Sequence, residues 1–339
     1  MKENIKIDVV IPWVDGNDHN WQKQKDLYKG VKSADKSDSR YRDWDNLQYI
    51  FRGIEKFWPW VNHVFLVTCG QKPKWLNLNC EKLRLINHTD YIPDEYLPTF
   101  NSHTIELNFH RIKDLSEHFI YLNDDFFPIR PLKSTDFFRN GFPCDSCTQQ
   151  NLLSIYVPDD TNIQHIDFTN LGLINAYFRK KDVTRHHLNK WYGPYLGIHA
   201  MMQAIAKANQ HFFTGFTMHH SAQPFLKSTF KTVWECYPEY LHEHCKNKFR
   251  HNTDVNQWLI RYWQFAENRF SPYNMKRRKY FTISIDNYEE ILLAINNQKY
   301  DIITINDSPR LSYDDFLLVK PRINQALDDL LPNKSIFEI

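Results

Sequence analysis

The stretch Phe119-Ile-Tyr-Leu-Asn-Asp-Asp-Phe-Phe-Pro128 constrains the rest of the chain more than any other. It reads as a short apolar strand that runs into Asn123, Asp124 and Asp125 and then returns to aromatics. A buried strand ending in two adjacent acids puts charge at the carboxyl edge of a sheet, where α/β proteins hold their ligands. Adjacent carboxylates repel each other unless a cation or a bound proton relieves them. Hard oxygen ligands of this kind suit Mg²⁺ or Mn²⁺ holding a substrate phosphate. A bare Asp-Asp also opens ordinary solvated loops, so the flanking chain has to decide.

The flanks alternate strand and helix. Residues 5–12 are β-branched and nearly continuous in apolar character, as a central parallel strand should be. They run into the turn 13–18, rich in Asp, Asn and Gly, a common place to hold a nucleotide and equally a plain Asp-Gly turn. Residues 19–40 are polar and lysine-rich, a loop or loosely held helix able to act as a lid. Apolar residues at 47, 50, 51, 54 and 57 give helical spacing, with Arg42 and Arg52 as candidates for phosphate oxygens. Residues 61–68 and 83–87 are further strands. Residues 105–112 read as a helix capped by Asn101 or Ser102, an anion site with Glu106, His110 and Arg111 in its first turns. This alternation predicts an α/β fold with an open, mostly parallel Rossmann-like sheet.

Beyond residue 130 the pattern loosens. Residues 131–215 read as a helical insertion or cap on the acceptor side, between an N-terminal core part, 1–130, and a C-terminal core part with a helical tail, 216–339. His219 and His220 precede a helix running to about residue 235, so a His base beside a Lys227 phosphate clamp is one reading and a packed His the plainer one. Arg250-His-Asn-Thr-Asp254 reads as the cap of another helix, and residues 279–285 as a late strand ending at Asp286. The tail, 288–339, alternates helix-like and apolar segments.

Composition removes some function classes. A net charge of +2 gives no global field for nucleic acid, although a basic run stands at 276–279 as a candidate contact to an anionic membrane. Aromatic content of 15% with nine glycines suits a well-packed enzyme or a carbohydrate-handling surface. Six cysteines are too sparse for a disulfide scaffold, so reduced thiols are the default. Cys144 and Cys147, with Cys236, His242, His244 and Cys245, leave an irregular zinc site as the alternative. Neither a signal-like start nor an apolar run of membrane-spanning length is present, which points to a cytoplasmic address.

The quoted residues resemble the Stealth family in four separated blocks. These are 7–18; 42–125, including Arg52, Gly70-Gln71, Asn101-Ser102, Glu106, His110-Arg111 and Asn123-Asp124-Asp125; 220–235; and 250–254 with the strand ending at Asp286. Gln223 departs from the pattern, standing where some relatives have a second His. Stealth proteins are sugar-1-phosphate transferases of microbial surface polysaccharides, similar to the catalytic subunit of the animal lysosomal-enzyme GlcNAc-1-phosphotransferase. The resemblance implies a glycosyltransferase-A-like sheet and transfer of an N-acetylhexosamine-1-phosphate from a UDP-sugar to a hydroxyl of a polysaccharide or lipid-linked glycan, releasing UMP. It implies His220 as the base with His251 second, and Asp124, Asp125 or Asp286 on Mg²⁺ or Mn²⁺. Arg111, Lys227 and Arg250 would clamp the diphosphate. Asp15 and Asn17 would face the nucleotide, and Asn101, Ser102 and Glu106 the sugar. The rivals are a metal-dependent glycosyltransferase that releases UDP, and a binding module with a decayed site.

Overall fold

The computed structural model describes residues 5–29, 42–153, 163–308 and 311–339. From the amino end, β1 (Ile7–Pro12) leads through a polar turn to α1 (His19–Lys29), and α2 (Leu47–Phe57) returns the chain to β2 (Val64–Thr68) and β3 (Leu83–Asn87). A short helix α3 (Ser102–Leu107) precedes β4 (His118–Tyr121), and the acid pair separates β4 from β5 (Phe126–Pro128). The hairpin β6 (Phe138–Arg139) and β7 (Phe142–Asp145) comes next, then α4 (Ile163–Tyr177), α5 (Lys180–Thr184), α6 (Leu188–Trp191) and α7 (Ile198–Ala206). β8 (Gln223–Leu226) runs straight into α8 (Lys227–Cys236), followed by α9 (Pro238–Cys245) and α10 (Gln257–Ala266). The last elements are β9 (Ser271–Pro272), β10 (Arg278–Thr282), α11 (Tyr288–Asn296), β11 (Ile302–Asn306) and α12 (Tyr313–Leu330).

The central sheet has the order β3-β2-β1-β4-β8. Pairings among β1 to β4 are parallel and only β8 is antiparallel. A 3-2-1-4 order is that of a doubly wound Rossmann-type sheet, so the predicted open α/β architecture holds. Alternate side chains of β1, β2, β4 and β8 point to opposite faces and both faces are buried, while the edge strand β3 is half-buried. Val9, Ile11 and Leu66 enter one core with α2, α11 and α12, while Val10, Phe65 and Val67 enter another with α8 and α10. Asp8 is the polar exception in β1. Its buried carboxylate accepts from Asn62 Nδ2 at 2.8 Å and from the Ser116 backbone N–H at 2.8 Å, tying two loops to the edge opposite the acid pair.

A second sheet, β10-β11-β5, grows out of the acid pair itself, since β5 begins at Phe126. α2 lies against it so closely that a Cβ on Gly53 would stand 2.6 Å from the backbone oxygen of Pro128. Gly53→Ala is therefore expected to lower unfolding stability by about 1–3 kcal/mol, the usual range for overpacking, as read by urea denaturation.

Several local expectations change. Residues 223–226 are a strand rather than the approach to a helix, and Ile302–Asn306 adds a strand within the tail. α3 starts at Ser102 and ends at Leu107, so His110 and Arg111 lie beyond it in a separate 3-10 turn. Asn256, not the 250–254 motif, caps α10, accepting from Trp258 N–H. β10 stops at Thr282, leaving Asp286 in the following turn. Of the polar stretch 19–40, residues 19–29 form α1, and 30–40 lie outside the described residues.

The 131–215 segment does not pack alone: Leu171, Ile174, Trp191 and Phe213 share a core with Tyr262, Trp263 and Phe265 of α10. The basic run is partly internal, because Arg278 donates to Ala222 O at 2.7 Å and stacks on Phe137 and Tyr273. Cys144 and Cys147 are buried thiols, both pushed up to about 12 by burial, and Cys147 Sγ lies 3.1 Å from Tyr195 Oη.

Candidate active site

The carboxyl ends of β1, β2 and β4 meet at one edge of the sheet. Trp13 N–H donates to Val67 O at 2.9 Å, and Leu122 N–H donates to Val10 O at 3.0 Å, so the three exits are held side by side. Gln71, just past β2, braces the turn after β1: its Oε1 accepts from Asp15 N–H at 2.8 Å, and its Nε2 donates to Asp18 Oδ2 at 3.0 Å. Asp18 Oδ1 in turn accepts from Asn20 N–H at 2.8 Å at the start of α1. Asp15 and Asn17 therefore stand on a fixed turn, with the Asn17 side chain exposed.

The antiparallel run of β8 explains how a residue a hundred positions later reaches the acid pair. Tyr121 pairs with Gln223, so the segment before β8 lies beside the segment after β4. His220 Nε2 comes to 3.9 Å from Asp125 Oδ2. The second sheet holds the imidazole in place. Phe126, Thr304 and Tyr280 are register neighbours across β5, β11 and β10. The His220 ring packs edge-on against Phe126 at 4.9 Å and Tyr280 at 5.4 Å, and its backbone oxygen accepts from Thr304 Oγ1 at 2.8 Å.

Protonation follows from this crowding. Burial, reinforced by the Arg250 guanidinium, pushes His220 down to about 4, so its imidazole is neutral near pH 7. Crowding by neighbouring atoms pushes Asp124 up to about 6, with Asp43 adding repulsion, while the residue itself keeps contact with solvent. Asp125 is raised well above the usual carboxylate range by burial and by Asp124, and its Oδ1 is buried without a hydrogen-bond partner.

A second group of polar residues stands on the other wall. Buried Glu106 accepts from Tyr121 Oη at 2.9 Å, and Asn123 Oδ1 lies against the same hydroxyl oxygen. Arg250 donates to Ser102 Oγ at 2.7 Å and lies near enough to both Glu106 and His220 to perturb their charge. The loops that carry Ser102 and Arg250 are clasped by Asp254. This buried carboxylate lies 3.1 Å from His103 Nδ1 and 3.0 Å from His244 Nδ1, and accepts from Asn101 Nδ2 at 3.0 Å and His251 N–H at 2.9 Å. Asn101 Oδ1 also caps α3 by accepting from His103 N–H at 3.1 Å. Asn101 thus serves the scaffold directly.

Other sequence candidates are placed elsewhere. Arg52 donates to Glu338 at 2.8 and 2.9 Å, and to Asp328 and Leu331 O, locking the carboxyl terminus against α2. Lys227 is at the far end of β8, at the sheet edge opposite His220, and donates to Ile112 O at 2.9 Å and Leu115 O at 3.1 Å. Arg111 donates to Asn108 Oδ1 and lies over Trp234. His251 is exposed, its Nδ1 2.9 Å from Thr253 Oγ1, and Asp286 is exposed in the turn before α11.

Comparison with known proteins fits this layout. The model for conserved region 2 of Stealth proteins matches residues 40–144, and the model for conserved region 1 matches residues 6–31. Receptor polysaccharide phosphotransferase WefC of Streptococcus oralis is 37% identical over 98% of this chain and 99% of its own length. The chain belongs to the Stealth family. Capsular polysaccharide phosphotransferase WcwK of Streptococcus pneumoniae is 36% identical over 98% of this chain and 99% of its own. Exopolysaccharide phosphotransferase cps2G of Lactiplantibacillus plantarum is 35% identical over 98% and 96%. A crystal structure of the galactosyltransferase LgtC aligns over 95% of each chain at 11% identity and TM-score 0.39, too distant to bear on the site.

In this Stealth enzyme, a phosphotransferase like its relatives, the two matched regions carry Asp15, Asn101, Ser102, Glu106, Asp124 and Asp125, and the fold adds His220 and Arg250 from outside them. Gln71, Tyr121, Tyr280, Thr304 and Asp254 position these groups. Their roles come from register and burial, which composition and spacing do not report. Among the described residues no three His, Cys, Asp or Glu side chains form a ready cage for a metal ion, so Asp286 is not assembled with the acid pair. The orphaned Asp125 Oδ1 and two raised carboxyls still fit Mg²⁺, which is commonly held by one or two carboxylates plus substrate phosphates.

Glu106 gives the Stealth enzyme a pH signature. Burial raises its carboxyl to about 7 against an ordinary 4.5, so between those values the folded state binds the extra proton. Its contribution to stability is present below about 4.5 and is lost as pH rises through about 7. Glu106→Gln, which keeps an acceptor for Tyr121, is expected to gain stability relative to the parent chain as pH goes from 5 to 8, by a few kcal/mol at about 1.4 per pK unit. Parallel pH curves of urea midpoints for the two proteins would contradict this.

Proposed function

We propose that this enzyme moves a hexose-1-phosphate, of the N-acetylhexosamine type, from a UDP-sugar to a glycan hydroxyl in capsular or cell-surface polysaccharide synthesis. The observation that carries the reading is the convergence of a neutral His220, the Asp124–Asp125 pair and Arg250 at the edge that also holds the Asp15 turn. Phosphoryl transfer needs charge neutralisation and in-line placement more than covalent help.

The acceptor oxygen attacks the phosphorus that bears the sugar. A new P–O bond forms, the bond to the bridging oxygen breaks, and UMP leaves with that oxygen. His220 takes the acceptor proton; its imidazole is free to do so at neutral pH, and Asp125 Oδ2, 3.9 Å from its Nε2, is the carboxyl oxygen beside the imidazolium that results. Arg250 neutralises charge on the transferred group, and Ser102 holds its guanidinium. Glu106 and Asn123, joined through Tyr121 Oη, offer acceptors to sugar hydroxyls. Asp15 faces the nucleotide. Asp124 and Asp125 would hold Mg²⁺ or Mn²⁺, which when bound supplies positive charge against the diphosphate.

Purified enzyme given UDP-GlcNAc, Mg²⁺ and a glycan acceptor pool, followed by nucleotide separation, tests the proposal. Acceptor-dependent UMP is expected. Acceptor-dependent UDP would make the enzyme a glycosyltransferase and overturn it.

A further inference from the structure

The helical segment after β7 has a surface that the catalytic edge does not use. α7 is capped by neither a charged nor a hydroxyl side chain, and its residues Ile198, Met202 and Ile205 follow i, i+4, i+7 spacing. A stripe at that spacing normally turns inward. Here the inward face is carried by Ala204, 1% exposed, while Ile198, Met202 and Ile205 are 69%, 62% and 53% exposed. Exposed apolar side chains that stand singly need no explanation, but three along one helix make a contiguous patch that marks a contact surface.

The charge around the patch identifies the partner. Between residues 178 and 212 six Lys or Arg stand against one acid, Asp182, a net of +5 within a chain whose total is +2. Cations from this stretch and from the basic run at 276–279 stand at the two ends of the helix. At the amino end, Lys276 Nζ approaches Gly197, lying 3.8 Å from where a Cβ would stand. At the carboxyl end stands Lys207, whose backbone oxygen accepts from the buried Lys180 Nζ at 2.6 Å. Beside them Arg179 lies over Phe212, an aromatic ring that is itself 46% exposed. An apolar stripe between clustered cations suits neither a polar glycan nor a hydrophobic partner core. It suits a sheet of hydrocarbon covered by anionic headgroups.

We propose that the exposed face of α7 docks on an anionic lipid bilayer, with Ile198, Met202 and Ile205 entering the headgroup boundary and Lys276, Arg179 and Lys207 meeting lipid phosphates. Among the described residues no helix is long and apolar enough to cross a membrane, so this contact is peripheral and reversible. It stands independently of the donor and of the reaction assigned to the catalytic edge.

The test is co-sedimentation of the full chain with vesicles of phosphatidylcholine alone or mixed with phosphatidylglycerol. Binding is expected to the mixed vesicles, to be weak on phosphatidylcholine alone, and to fall as salt screens the cations. The double variant Met202→Asp, Ile205→Asp is expected to lose affinity for the mixed vesicles by at least about tenfold, since both side chains are removed from the apolar stripe. Both positions are exposed, so the variant should keep the parental unfolding midpoint and its nucleotide release on a soluble acceptor. Failure of the parent chain to bind mixed vesicles would overturn the proposal, as would equal binding by the double variant. A parent dimer that the double variant converts to a monomer, without lipid binding by either, would also overturn it and assign the face to a second copy of the chain.

Discussion

His220→Ala is expected to lower kcat by about 10²–10⁴-fold, the range for removing a general base, while the KM for the nucleotide sugar changes little. His220 is the one imidazole placed at the acid pair among the described residues that also meets the requirements of a base. It is 3.9 Å from Asp125, neutral because burial and Arg250 hold it down to about 4, and fixed by Phe126, Tyr280 and Thr304. Its neutrality extends across the working pH range, so the basic form is not limiting near pH 7. Asp125→Asn should be at least as damaging, because it removes one of the two carboxyls proposed to hold the divalent ion. The two variants differ in a way that separates their roles. Asp125→Asn should weaken the dependence on divalent ion, and His220→Ala should leave it intact. A His220→Ala enzyme within about threefold of normal turnover, against the 10²-fold minimum expected of a base, would place the base elsewhere.

Asp145→Ala carries the largest expected effect on stability. Arg261 in the middle of α10 is 1% exposed, and its guanidinium donates to Asp145 at 2.6 and 2.8 Å, to Ser146 O at 3.1 Å and to Thr217 O at 3.1 Å. The pair joins β7 to α10 and so pins the segment after β5 onto the sheet that carries the site. Removing one partner leaves a buried charge without compensation, which costs about 3–5 kcal/mol. Urea unfolding should show that loss for Asp145→Ala. Replacing both residues together with apolar side chains of similar volume should recover most of it, because the cost lies in the orphaned charge rather than in the lost attraction. Loss below about 1 kcal/mol, the surface ion-pair range, would mean that water reaches the guanidinium once Asp145 is gone.

The parallel part of the fold was legible because a buried strand announces itself. β1, β2 and β4 are short β-branched or aromatic runs and β3 a Leu/Ile run, each ending in a polar turn, and all four lie where those runs lie. β8 was not legible. Gln223-Pro-Phe-Leu226 begins with a Gln and a Pro and runs directly into a helix, and only its antiparallel pairing with β4 makes it a strand. That one omission misplaced Lys227. Without the strand, Lys227 reads as a neighbour of His220; with it, the two lie at opposite edges of the sheet.

Charge by itself proved a poor guide to position. Arg52, Arg111 and Arg250 are alike in sequence as candidate phosphate clamps. The structure spends Arg52 on Glu338, stacks Arg111 on Trp234, and brings Arg250 into reach of Glu106 and His220. The difference is made by contacts hundreds of residues away, which local spacing does not contain. The Asp254 clasp shows the same limit, since His103 and His244 lie far apart in the chain and meet only through a buried carboxylate.

The most direct test of the central claim follows one phosphorus atom. A UDP-sugar labelled with ³²P in the phosphate that bears the sugar is incubated with enzyme, divalent ion and glycan acceptor, and the label is traced. Sugar-1-phosphate transfer predicts that the label enters the glycan and that the released nucleotide, UMP, is unlabelled. Label retained in UDP, with sugar in the glycan, would contradict the account.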